Sequence, residues 1–196
     1  MITELEMINA MLAVNGEAPV SSASSTDPAA IQARNALTRI DKQLQARGWY
    51  YNTETMTLSP LLSTGEVILP SNTLSVDPVD VSSPYVQRGT KLYDRTNNTF
   101  NLAVTVKVNI VLRLDIVELP VLAGTYLQDK AVKDFYVDED GDEGKTNRLE
   151  NRESESFAYL QREHLANSNV NIRNSNLGRR LMQDAYSQST STFGVE

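Results

Sequence analysis

The sequence predicts an α+β fold: an antiparallel bundle of about four helices carrying an inserted small antiparallel β lobe. Three observations predict it. Residues 3–14 and 28–47 place apolar side chains at helical spacing. Residues 49–114 turn to Thr, Val, Tyr and Leu, punctuated by Pro60, Pro70, Pro78 and Pro84, the pattern of short strands separated by turns. Helical spacing then returns from Leu119 onward. Helices on both sides of a β segment need one shared apolar face to bury, so the β residues are most economically an insertion. The expected organisation is a helical bundle from 1–48 and 115–166, a β-rich lobe from 49–114, and a flexible C-terminal segment from 167–196.

Each element has its own justification. Thr3 and Glu6 have the spacing of a capping box, and Leu5, Ile8 and Leu12 share a helical face until Gly16 and Pro19 end it. The Ser-rich residues 20–27 read as an exposed linker. Asp27 can cap a second helix, and Pro28 fits its first turn. Ala33, Leu37, Ile40 and Leu44 line its face, and Gly48 can take the left-handed conformation that closes it. Strands are expected over 49–53, 66–69, 85–88, 91–94 and 104–112. Gly89-Thr90 suits a type II′ hairpin turn, and residues 77–84 read as a loop. Leu122, Tyr126, Val132 and Phe135 mark the face of a third helix over 119–137, with Ala123 and Leu127 at its margin. An acidic loop follows over 138–144. A charged fourth helix runs from 145 to about 165, with Leu149, Phe157, Leu160 and Leu165 as its apolar minority. Residues 177–186 carry the pattern of one more short helix.

Composition bounds the function. Hydrophobic residues make up 40% and charged residues 22% of 196 residues, which suits a globular chain rather than a disordered one. The net charge of -7 argues against tightly gripped DNA, whose phosphates call for an excess of Lys and Arg. It leaves room for an acidic channel along which DNA slides without sticking. Cysteine is absent, which removes disulfides and thiol chemistry and suits assembly in a reducing cytoplasm. The first twenty residues lack the basic start and apolar core of a signal peptide. The longest apolar-rich run, 104–114, is too short for a membrane helix and is broken by Lys107, Asn109 and Arg113.

Two strings carry a resemblance. QARGWYYN over 45–52 and KLYDRTNNTF over 91–100 resemble the tail tubular protein A family of T7-like podoviruses. At residue level the likeness is strong over 33–52 and 93–96, and as a pattern of elements it spans about 8–165. The resemblance implies a head-to-tail adaptor: a ring of twelve copies between the portal protein and the nozzle (tail tubular protein B). DNA passes through its lumen without sequence-specific binding. It implies a place in the virion tail after assembly in the host cytoplasm, no membrane contact, no cofactor, no metal and no catalytic residue. Residues 167–196 depart from the family pattern.

Other chemistries compete with that reading. Taking Asp138 as the first position of a calcium loop, Asp140 and Asp142 fit, but Glu143 and Leu149 stand at the Gly and bidentate Glu positions. A solvated inter-helix loop is the plainer reading. A tail component that hydrolyses capsule polysaccharide is the alternative function. It needs two flanking carboxyl groups, one with a raised pKa, and Glu118 is the less exposed candidate. His164, the single histidine, sits on a charged helix, where a solvated residue is the plain reading. No Walker loop and no GxGxxG occurs.

The interface candidates are Arg47, Trp49, Tyr50, Tyr51, Tyr93, Arg95, Arg148 and Arg152. Trp49, Tyr50, Tyr51 and Tyr93 read either as a small core for the β lobe or as interface anchors, since Tyr, Trp and Arg dominate such contacts. Arg47 and Arg95 can pair with acidic neighbours in the same chain or in the next subunit. The alternating charges around Arg148 and Arg152 read either as a solvated helix face or as a subunit contact in a ring.

Overall fold

The computed structural model describes residues 2–139 and 142–168 of the chain. Chain order is α1 (Glu4–Val14), α2 (Pro28–Gln45), β1 (Thr53–Leu58), β2 (Thr73–Pro78), β3 (Tyr85–Arg88), β4 (Lys91–Asp94), β5 (Val106–Leu112), a 3-10 turn (Ile116–Glu118), α3 (Val121–Glu139) and α4 (Glu143–Asn167). The α+β class holds. Residues 1–160 form one compact unit and 161–196 a second, of which the last turns of α4 are described.

The helix starts follow their caps. Thr3 Oγ1 accepts from Glu6 N at 3.2 Å while Glu6 Oε2 accepts from Thr3 N at 2.7 Å, so two orphan amides of α1 are satisfied reciprocally. Asp27 Oδ1 accepts from Ala29 N and Ala30 N at 3.0 and 3.1 Å at the head of α2. Met7, Ile8, Met11 and Leu12 of α1 meet Ala33, Leu37, Ile40 and Leu44 of α2, and Ala123, Tyr126, Leu127, Ala131 and Phe135 of α3. Leu160 of α4 closes this core, and Phe157 packs against it. The buried face of α3 is rotated from the expected one: Leu122 and Val132 are half-buried, whereas Ala123 and Leu127 lie inside. Leu165 is 62% exposed rather than part of an apolar face. The Ser-rich 20–27 connection is less free than expected. Asn9 exchanges two hydrogen bonds with the Val20 backbone, and Arg34 Nη1 donates to Ala23 O at 2.7 Å.

β5 is the central strand of a three-stranded antiparallel sheet, flanked by β1 and β2. Val106, Val108 and Ile110 point to one side, where Val67, Leu69, Val76, Leu92 and Leu102 form a second core. The β3–β4 hairpin lies against that core through Leu92, with Tyr85 beside it. Gly89 at its turn has φ +60°, as the first position of a type II′ turn requires.

Strand and loop boundaries change as well, and β5 begins at Val106 rather than 104. β1 begins at Thr53 rather than 49, because residues 50–52 form a turn. The 66–69 stretch makes only isolated bridges, from Glu66 to Asn101 and from Ile68 to Lys91. β2 occupies 73–78, overlapping residues read as loop. A register shift between Thr73 and Ser75 breaks its alternation, and Pro78 is tolerated because β2 is an edge strand. The acidic loop is shorter than 138–144: α3 runs through Glu139 and α4 starts at Glu143. Its centre at 140–141, like 169–196 with the helix expected over 177–186, lies outside the described residues. No helix among the described residues is long and apolar enough to cross a membrane.

Candidate functional site

The 45–52 string builds a joint between α2 and β5. After α2 ends, Gly48 takes φ +73°, and a Cβ there would stand 3.2 Å from Val111 Cγ2. The backbone conformation therefore favours glycine, and the tight approach of Val111 adds to that preference. The chain then folds back onto the helix end. Trp49 Nε1 donates to Leu44 O at 2.8 Å. Asn52, 1% exposed, accepts from Trp49 N at 2.8 Å through Oδ1. Its Nδ2 donates to Gln45 O at 2.9 Å and Leu112 O at 3.0 Å. The helix-end carbonyls Leu44 O and Gln45 O thus gain side-chain donors beside the Arg47 and Gly48 amides, and the bond to Leu112 O ties the turn to β5.

A second layer of polar groups extends the joint. Gln45, fully buried, accepts from Leu114 N at 2.8 Å and donates to Leu114 O at 2.9 Å, completing a bridge between side chain and backbone. It also donates to Asp41 Oδ1 at 2.7 Å. Arg113 places Nε and Nη2 each 2.8 Å from Asp41 Oδ2. The buried Asp41 carboxylate thus has partners on both oxygens. Asp41, Gln45 and Arg113 were not among the sequence candidates. Asp41 and Gln45 are one helical turn apart, but their links to Leu114 and Arg113 span 69 and 72 positions and leave no local trace.

The interface candidates divide into three places. At the joint, Trp49 belongs to the helical core, and Tyr51 packs against that core. Trp49 meets Phe157 of α4 edge-on at 6.3 Å, Arg47 lies 5.6 Å over the same ring, and Tyr126 completes the group at 5.0 Å from Phe157. Tyr50 and Tyr51 stack edge to face at 5.4 Å, both half-buried. The aromatic set therefore does not form one core for the β residues.

Tyr93 and Arg95 sit apart, on the hairpin. Arg88 lies 3.6 Å over the Tyr93 ring, whose edge meets Phe100 at 4.9 Å. Arg95 Nε reaches Pro84 O at 3.4 Å. Arg88, missed from sequence, follows from the period-2 alternation that puts Arg88 and Tyr93 on one face of the hairpin; Phe100, also missed, lies beyond β4 and has no such signal.

Arg148 and Arg152 are exposed on α4. Arg152 Nη2 is 2.9 Å from Asp129 Oδ1, across to α3. Beside them, Lys130 and Lys133 grip Asp134 and Glu153 at 2.8–3.3 Å. Burial raises the Asp129 carboxyl above the usual aspartate range, against the pull of Arg152. Burial and the Glu153 charge raise the Tyr126 hydroxyl. Burial works against a charged Lys133, but hydrogen bonds to Asp134 and Glu153 outweigh it and hold its ammonium group well above its ordinary value. A glycosidase acid–base pair would need carboxyls facing a substrate. Here Asp129 is bridged by Arg152 and Glu153 by two lysines. Glu118 is exposed rather than sheltered, and it accepts from Asp115 N at 3.1 Å.

Chemically, these three places hold backbone ends, rings and ion pairs together. That is the work of a scaffold. The comparisons agree. The family model for tail tubular proteins matches residues 5–180. Tail tubular protein A of Klebsiella phage KP34 is 30% identical over 179 residues, covering 91% of this chain and 95% of that protein. The chain belongs to the tail tubular protein family and is a structural component of a phage tail.

Proposed function

We propose that the chain is a head-to-tail adaptor, twelve copies of which form a ring between the portal protein and the nozzle, tail tubular protein B. The observation that carries this reading is the likeness to a tail tubular protein A over nearly the full length of both chains. The joint at 45–52 supports it. The most recognisable string in the sequence is spent on fixing a helix to a strand rather than on presenting a reactive group. The ring retains packaged DNA and conducts it at ejection. A net charge of -7 suits a wall that DNA slides past without sequence-specific binding. Arg47, Tyr50, Arg95, Arg148 and Arg152 are half-buried or exposed and are the residues we assign to contacts with neighbours. Trp49, Tyr51 and Tyr93 support them from within. Assembly takes place in the host cytoplasm.

Gradient sedimentation with the portal protein of the same phage tests the reading. Co-migration with portal is the expected result, and separate migration in salt where both stay soluble would refute it. The competing activity is read on capsule polysaccharide: no release of reducing ends is expected, and release abolished by a single carboxylate change would replace the adaptor reading with hydrolysis.

A further inference from the structure

One face of the β3–β4 hairpin gathers cationic and aromatic side chains. In the β3–β4 hairpin, Val86 pairs with Tyr93 and Arg88 with Lys91. Leu92 faces the β core, so the alternate positions Arg88, Lys91 and Tyr93 face away from it. Arg88 covers one face of the Tyr93 ring, and Phe100, 37% exposed, meets that ring's edge. Ile68, 41% exposed, bridges to Lys91. Lys91 is answered by Glu66 at 2.8 Å. Arg88 and Arg95, both exposed, have no carboxylate within ion-pair distance among the described residues. The result is the unanswered Arg88 guanidinium group on an aromatic and aliphatic base, the composition that interface centres favour, with the unanswered Arg95 one residue past the end of β4.

We propose that this outward hairpin face docks onto a second copy of the chain, at a different, acidic part of its surface. The inference rests on the ring reading and names the donor side of its subunit contact. Charge complementarity selects the occupant. The chain has 18 basic and 25 acidic residues, and Glu54, Asp77 and Asp115 are exposed with no cation in ion-pair range among the described residues. A guanidinium group matches a carboxylate in a planar, two-pronged way. The face cannot pair with itself, because two cationic faces repel. The contact is therefore heterologous, the kind that closes rings. DNA fits less well. Arg88 covers one face of Tyr93 and Phe100 crowds its edge, so the ring is a poor base-stacking platform, and two guanidinium groups make few phosphate contacts.

The test uses the full chain with the portal protein of its own phage, read by electron microscopy. The variants are Arg88→Glu with Arg95→Glu, and Arg95→Glu alone. Arg95 reaches only a backbone carbonyl, so the single variant decides the matter if the double one does not fold. We expect variants that melt like the wild type yet complete rings about tenfold less often. Mixed with wild type, they should end growing arcs, since each still offers its acidic side. Full assembly by the folded variants would overturn the inference and leave the ring reading standing. Complete wild-type rings that merely exclude the variant would assign the face to the portal instead. Unchanged rings with lost binding to a short DNA duplex would assign it to DNA. A wild-type protein that adds no layer to the portal would remove the ring reading and this inference together.

Discussion

Asn52 shows how much one side chain can hold. Its amide serves three backbone groups drawn from α2, the following turn and β5. Asn52→Ala removes these three bonds; Gln45 O keeps the Gly48 N–H at 3.2 Å, so Trp49 N and the part-buried Leu112 O bear the loss. At about 1–3 kcal/mol for each buried orphan, partly relieved by water, the expected loss is about 3 kcal/mol. Urea unfolding measures it, and a loss near zero would show that the joint does not bear on stability. Arg113→Met is argued in the same way. It leaves the fully buried Asp41 carboxylate with Gln45 alone. Breaking a buried pair costs about 3–5 kcal/mol, and the partial exposure of Arg113 places the expectation near the lower end. Wild-type stability in that variant would mean that water reaches Asp41. At this scale the sequence was half legible. Gly48 and Trp49 announce a helix end and an anchor because their chemistry is local. Asp41 and Gln45 do not, because their common partner stretch at Arg113 and Leu114 comes from just past the far end of β5.

Among the elements, α3 and α4 are linked by ion pairs beside their apolar contacts. Asp129 supplies a test with a definite sign. Its folded pKa is raised above the ordinary value of 3.8, so the folded state keeps this proton longer than the unfolded chain does. Its contribution to stability is therefore fullest below that ordinary value and is lost as pH rises through the folded one. Asp129→Asn removes the titration. The melting temperature of the variant should gain on that of the wild type as pH climbs from about 4 toward neutrality. A gap that is constant, or that moves in favour of the wild type, would contradict the burial assigned to Asp129. The element pattern was readable where caps and periodicity coincide, as at Thr3, Asp27 and Gly89. It failed at β2, where a register shift hides the alternation, and at 49–53, where Asn52 makes a turn out of residues with strand-like side chains.

For the whole molecule, the α+β class was legible because apolar periodicity changes from helical to strand-like near residue 49 and back near 119. Which face of α3 turns inward was not, because a margin of small and large apolar residues gives two nearly equal choices. Tertiary packing made Ala123 and Leu127 the buried ones. Function was legible only through the 45–52 and 91–100 strings. Physical reasoning then recasts those strings: the first is a structural joint, and the second carries the hairpin on which Tyr93 rests. The central claim, that this scaffold is a ring-forming adaptor, is tested most directly by negative-stain electron microscopy of the chain mixed with the portal protein of its phage. The account predicts an added twelve-fold layer beneath the portal. A portal left bare, in salt where both proteins remain soluble, would contradict it.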